Sequence, residues 1–164
     1  MPTDRKKNDK ELFGSPASED FSLENYPFFF IDRINNAYGL AIEHILRKHN
    51  MERIQWQLLL IMRENNPISI SELATISGRK LSTVSRTIER MRNEKLVSTA
   101  TRKSDQRVTE VNLEENGWER LTMLIEVANR EYLHAMKGLD NRELKKLQEQ
   151  LRSILENLSR SPFE

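Results

Sequence analysis

Ser82, Thr83, Ser85 and Arg86 place three hydroxyls and a guanidinium within five residues. A guanidinium can pair bidentately with guanine O6 and N7, worth roughly 1–3 kcal/mol of discrimination against other bases. Hydroxyls can contact base edges or phosphates. Arg79 and Lys80 precede this group, and Thr87 and Arg90 follow it. Phosphate oxygens are the natural partners for those four. Further on, Arg102 and Lys103 repeat the phosphate chemistry. Arg107 then offers a cation for a narrow, A·T-rich minor groove, where the negative potential is enhanced. Asp105 cannot favour DNA by charge. Its expected part is to hold Arg107 in one rotamer, so that less entropy is lost on binding.

Charge sharpens this reading. From Arg79 to Thr109 nine Lys/Arg face three acids, so the segment carries about +6 while the rest of the chain sums to about −5. A single sign concentrated on one short unit is the footprint of a phosphate-binding surface. A solvated basic face with no ligand is the alternative.

The elements that must hold these residues follow from hydrophobic spacing. A broad stripe (Phe30, Ile34, Ala41, Ile45, widened by Ile31, Tyr38 and Ile42) predicts a first helix over about Phe28 to His49, with Pro27 in its first turn. Ile54, Leu58, Ile61 and Met62 predict a second over about Ile54 to Asn65, stopped by Asn65-Asn66-Pro67. After a brief extended piece, Ile68-Ser69-Ile70, Ser71 is expected to cap a short helix ending at Gly78, with Leu73, Ala74 and Ile76 inward. Leu81, Val84, Ile88 and Met91 mark the buried face of the next helix, about Leu81 to Glu94. Its opposite face carries Ser82, Thr83, Ser85, Arg86, Thr87, Glu89 and Arg90.

β-Branched runs over Val97 to Thr101 and Val108 to Leu113 predict a hairpin with Arg102 to Arg107 at its tip. Two long helices follow. The first spans about Glu114 to Lys137 (Trp118, Leu121, Ile125, Ala128, Tyr132). The second spans about Asn141 to Leu158 (Leu144, Leu147, Leu151, Ile154, Leu158), with Asp140 as its cap. The order helix, turn, helix, hairpin is that of a winged helix-turn-helix, which presents one helix and one loop to a duplex. The fold class is therefore mainly α with a small β-hairpin wing.

This order resembles the multiple-antibiotic-resistance regulator (MarR) family over about Phe28 to Leu158. The block ISELATISGRKLSTVSRTIERMRNEKLVSTATRKSDQRVTEVNLEENG carries the likeness. Within it stand the wing-tip Asp105-Gln106-Arg107 and the Leu-x-Glu-x-Gly of Leu113, Glu115 and Gly117. Two positions depart from the family pattern. Lys95 stands where Gly usually ends the reading helix, so it either adopts a left-handed conformation or ends the helix differently. Thr99 replaces a frequent Arg, so a phosphate contact is missing or moved to Arg102.

The resemblance implies a dimeric, ligand-responsive regulator of transcription, a repressor more readily than an activator. It implies a double-stranded DNA operator, pseudo-palindromic, with half-sites roughly 34–36 Å apart. Long N- and C-terminal helices, residues 23–50 and 114–164, would pair two copies. Residues 51–113 would be the DNA-binding lobe, and residues 1–22, poor in apolar groups, a mobile tail. Leu147, Leu151, Ile154 and Leu158 are candidates for burial between copies, with ordinary core as the alternative. Ligand-binding candidates are Phe28, Phe29, Arg33, Tyr38, His44, Trp56 and Trp118. Arg33 is suited to a carboxylate or phosphate. Each of the aromatic residues also suits a core. The family's habits point to an aromatic carboxylate or its CoA thioester.

Other classes find less support. With no cysteine there are no disulfides, thiolate nucleophiles or cysteine-ligated zinc. His44, His49 and His134 offer no metal-ligand spacing, no Gly-rich phosphate loop occurs, and no catalytic residue, metal or cofactor is expected. The longest apolar run, Leu58 to Met62, is far below the roughly 18 residues of a membrane span. The N-terminus lacks a signal-peptide core, so a cytoplasmic protein without membrane attachment is expected. Two alternatives stay open: a winged helix that binds protein instead of DNA, and a small helical enzyme.

Overall fold

The computed structural model describes residues 12–159. It divides into a compact unit that ends at Ala128 and a second that begins at Asn129. In the first unit α1 (Pro27–Arg47) has Pro27 at its first position, where a missing N–H costs nothing. Then come α2 (Arg53–Glu64), β1 (Ile68–Ser69), α3 (Ile70–Ser77), α4 (Leu81–Asn93), β2 (Val97–Arg102), β3 (Asp105–Leu113) and the start of α5 (Glu115–Ala135).

Of the expected tail, residues 1–11 lie outside the described ones, and the rest carries local turns. Ser15, Ser18 and Phe21 donate in turn to the carbonyls of Leu12, Ser15 and Ser18, forming consecutive turns. Gly14, at φ +74°, lies so close to the Asn25 carbonyl that any Cβ there would collide with it.

Capping decides the start of α3. Ser69, not Ser71, is the cap: its Oγ accepts from Glu72 N at 3.2 Å, and Glu72 Oε2 accepts from Ser69 N at 2.9 Å. This reciprocal box satisfies two donors that a helix start leaves unpaired. Gly78 closes α3 at φ +64°. Because Leu73, Ala74 and Ser77 are the buried positions, Ile76 points outward, against expectation. Leu81 is also exposed, since the buried stripe of α4 runs through Val84, Thr87, Ile88 and Met91.

The sheet has three strands in the order β1-β3-β2, all antiparallel. Ile68 pairs with Val111, so the short extended piece becomes an edge strand that closes the wing onto α3. Leu58, Leu59 and Met62 of α2 belong to one buried cluster with Leu73, Val84, Ile88, Met91, Leu96 and Val111. That core fixes α3, α4 and the hairpin as one block.

Two junctions complete the block. Lys95 takes the left-handed conformation, φ +58°, and Leu96 N donates to Met91 O at 2.9 Å. The helix thus ends as it would with glycine, at a steric cost of roughly 1–2 kcal/mol. Gly117 then lets α5 approach closely, for a Cβ there would strike the Leu96 carbonyl oxygen.

In the second unit, α6 (Asn141–Ser159) is capped by Asp140, whose Oδ1 accepts from Arg142 N and Glu143 N, both at 2.8 Å. No residue of α6 is buried, and Leu147, Leu151, Leu155 and Leu158 are exposed.

Candidate nucleic-acid interface

The exposed face of α4 carries Ser82, Thr83 and Arg86, with Ser85 half-buried beside them. Ser85 Oγ donates to Leu81 O at 2.9 Å, which uses its proton and leaves its lone pairs as acceptors. Arg79 and Lys80 are exposed just before the helix. Arg79, Lys80 and Arg86 make no ion pair among the described residues. A row of unpaired cations beside hydroxyls is suited to phosphates and base edges.

Two neighbours behave differently. Thr87 is a correction: it is 5% exposed, and its Oγ1 donates to Thr83 O at 2.9 Å. It lies three residues after Val84, on the buried side, and cannot meet a phosphate. Arg90 is already engaged. Its Nη1 and Nη2 donate to the two carboxylate oxygens of Glu52 at 2.7 and 2.6 Å. Glu52 also caps α2 in a box with Gln55, whose Nε2 reaches Glu94 at 3.0 Å. The start of α2 is therefore tied to the end of α4 by two side-chain links.

The hairpin turns at Lys103 and Ser104, so Asp105, Gln106 and Arg107 lie on β3 and not in a tip loop. Asp105 holds Arg107 through three contacts of 3.1 Å: from the Arg107 backbone N–H, from Nε to Oδ1, and from Nη2 to Oδ2. The Arg107 side chain is otherwise 90% exposed. Hydrogen bonds from Arg107 hold the Asp105 carboxyl below its ordinary pKa, and the same pairing raises Arg107.

Arg102 is also already engaged: its Nε donates to Glu110 Oε1 at 2.6 Å, and Glu72 stands 3.5 Å away. Glu110 raises its pKa, chiefly through that hydrogen bond. Glu72 is held low mainly by the Ser69 hydroxyl and then the Ser69 N–H, with Arg102 adding a smaller pull. Lys103 is exposed and makes no ion pair among the described residues.

Sequence reasoning gives Glu52, Glu72 and Glu110 no part in the site. Only the Ser69-x-x-Glu72 spacing could have been found, as a capping-box signature. The other two acids meet their partners across 38 and 8 residues of chain.

The seven ligand candidates do not converge. Arg33 stands over the Phe29 ring at 5.4 Å, with Phe28 nearby in sequence and half-exposed. Tyr38 lies beneath Arg53 at 5.9 Å, and Arg53 donates to Asn35 at 2.6 Å. His44 is exposed on α1, and about 16 residues of helix, or ~24 Å, separate it from Phe28. Trp56 is buried, and its Nε1 lacks a hydrogen-bond partner among the described residues. Trp118 lines a shallow depression with Thr122 and Met123 that none of the other six shares. The seven are distributed along α1, α2 and α5, each in its own surroundings. Among the described residues no three His, Asp or Glu side chains cluster as a metal site. No described helix is long and apolar enough to cross a membrane.

The family model HVO_A0114 matches residues 51–112, which span α2 to the end of β3. The HTH-type transcriptional repressor IacR of Pseudomonas putida is 34% identical over 143 residues, covering 87% of this chain and 86% of that protein. A cysteine-to-serine mutant of MarR from E. coli, solved with operator DNA, superposes with a TM-score of 0.68 at 19% identity, over 77% of this chain and 91% of that one. The PcaV transcriptional regulator of Streptomyces coelicolor, solved with its natural ligand, reaches a TM-score of 0.73 at 15% identity, over 84% and 96%. At such identities the two structures speak for the shared fold.

Proposed function

The chain belongs to the MarR family of winged helix-turn-helix transcriptional regulators, and we propose that within it this protein is a homodimeric repressor released from its operator by a small anionic ligand. It is a DNA-binding regulator of transcription and not an enzyme. The repressor role rests on the likeness to IacR. The observation that carries the DNA contact is the exposed face of α4, where Arg86 stands unpaired among hydroxyls while Asp105 holds Arg107 ready on the wing.

In this reading α4 enters the major groove and Arg86 discriminates bases, helped by Ser82 and Thr83 as acceptors or donors and by Ser85 as an acceptor. Arg79, Lys80 and Lys103 meet phosphates, which set register without reading sequence. Arg107 enters the minor groove, and its pairing with Asp105 limits the rotamer entropy lost on binding. The leucine stripe of α6 and the wide stripe of α1 support pairing of two copies, which gives a pseudo-palindromic operator. Arg86→Ala is expected to relax sequence preference, and Lys103→Ala to weaken all duplexes alike and reduce the salt slope by about 1. Equal loss on every sequence from both changes overturns the assignment.

The ligand is read as an aromatic carboxylate or its thioester, acting through a coupling of roughly 1–3 kcal/mol between its site and DNA. The ligand complex of PcaV supports a ligand-responsive fold of this kind. Phe29 with Arg33, and Tyr38 with Arg53, offer aromatic faces beside cations on α1 and α2. Displacement of DNA by a panel of aryl carboxylates and thioesters, read by fluorescence anisotropy, tests this. No release by any compound of the panel rejects the class.

A further inference from the structure

The basic surface is built in alternation. Arg86 makes no ion pair among the described residues, and one helical turn further on Arg90 is clamped by Glu52. Lys103 makes no ion pair among the described residues, and its neighbour Arg102 is clamped by Glu110 and approached by Glu72. Neither clamped arginine is deeply buried, with side chains 43% and 34% exposed. Both therefore stand where a phosphate could reach them if the carboxylate were not there. The two acids occupy the guanidinium face that a phosphate would use, with the bidentate or charge-assisted geometry a phosphate would adopt.

We propose that Glu52 and Glu110 are specificity-determining residues that act as internal phosphate mimics, withholding Arg90 and Arg102 from the DNA backbone. This rests on the reading of α4 and the wing as the DNA-binding surface. Electrostatic contact with phosphates supplies nearly all of non-specific binding and only part of specific binding. A non-specific complex can settle wherever most phosphates are met. An operator complex is held in one register by base contacts. Removing two cations per subunit from the phosphate-binding set therefore weakens binding to arbitrary DNA more than binding to the operator.

The experiment is a salt titration of the full-length protein on a random-sequence duplex, with wild type, Glu52→Gln, Glu110→Gln, and the doubles Glu52→Gln/Arg90→Gln and Glu110→Gln/Arg102→Gln. The amides keep shape and remove charge. Each single variant is expected to bind the duplex several-fold tighter at low salt. Its plot of log K against log salt steepens by about 0.9 per subunit that gains a phosphate contact. Each double returns the slope to that of wild type, which assigns the gain to the released arginine. If Glu52→Gln upsets the α2 cap, Glu110→Gln, which caps no helix, decides alone. Acids that serve only as structural cross-links would lower the melting temperature and leave the slope unchanged, and that result overturns the proposal. Wild-type protein that binds no duplex at any salt concentration rejects the underlying DNA-binding reading and this proposal with it. Wild type that binds, with unaltered slopes in the single variants, rejects this proposal alone.

Discussion

Leu58 on α2 and Leu151 on α6 are the same residue on helices of similar amphipathic design, yet Leu58 has no exposed surface and Leu151 keeps 43%. Around Leu58 every apolar stripe is consumed inside the chain: α2, α3, α4 and the hairpin close on one buried cluster. Along α6 the spacing is equally regular, but no residue is buried. Periodicity states that a helix has an apolar face; it does not state which molecule covers it. The winged-helix block solves its burial alone, whereas the α6 stripe is proposed to find its cover in a second copy.

The widest break between the two regions comes from truncating their leucines. Leu58→Ala is expected to cost about 2–5 kcal/mol of unfolding free energy in urea titration, because a fully buried site leaves a cavity. Leu151→Glu places a charge in the α6 stripe. It is expected to raise the dimer dissociation constant at least about tenfold, roughly 1.4 kcal/mol, by sedimentation. An unchanged dimer there removes α6 from the interface.

Smaller effects sharpen the picture within the winged helix. Ser69→Ala removes the α3 cap and is expected to cost about 1 kcal/mol in chemical denaturation, whereas Ser71→Ala costs much less. Lys95→Gly is expected to stabilise the same transition by about 0.5–1 kcal/mol, since glycine adopts the left-handed conformation without steric penalty. The smallest effect is the pH response of the wing. Asp105 has its folded pKa below its unfolded value, so the pair with Arg107 is fully present above the ordinary aspartate range. It is lost only as pH falls through the depressed folded value. An NMR titration of the Asp105 carboxyl carbon should show no change around neutrality and a midpoint below that of a free aspartate.

Much of the fold was legible because short-range rules decide it. Pro27 at a helix start, Gly78 in a left-handed cap and the cap at Asp140 all act within four residues. The steps of 3 and 4 along each helix likewise need no knowledge of distant chain. Residue type and position disagree at a few places. Thr87 is polar, which argues for exposure, but three residues from Val84 it turns inward and satisfies its hydroxyl on Thr83. Ile76 and Leu81 are apolar, which argues for burial, but both fall off the stripe that the core selects.

By itself, then, the sequence determined the order of the elements and the segment that concentrates positive charge, since each depends on neighbours along the chain. Which of those cations are free was decided only by the tertiary structure. Arg90 and Arg102 look no different from Arg86 and Lys103 in the sequence. Their partners Glu52 and Glu110 reach them only after α2 packs on α4 and β3 pairs with β2, because an ion pair depends on distance in space and not on separation along the chain.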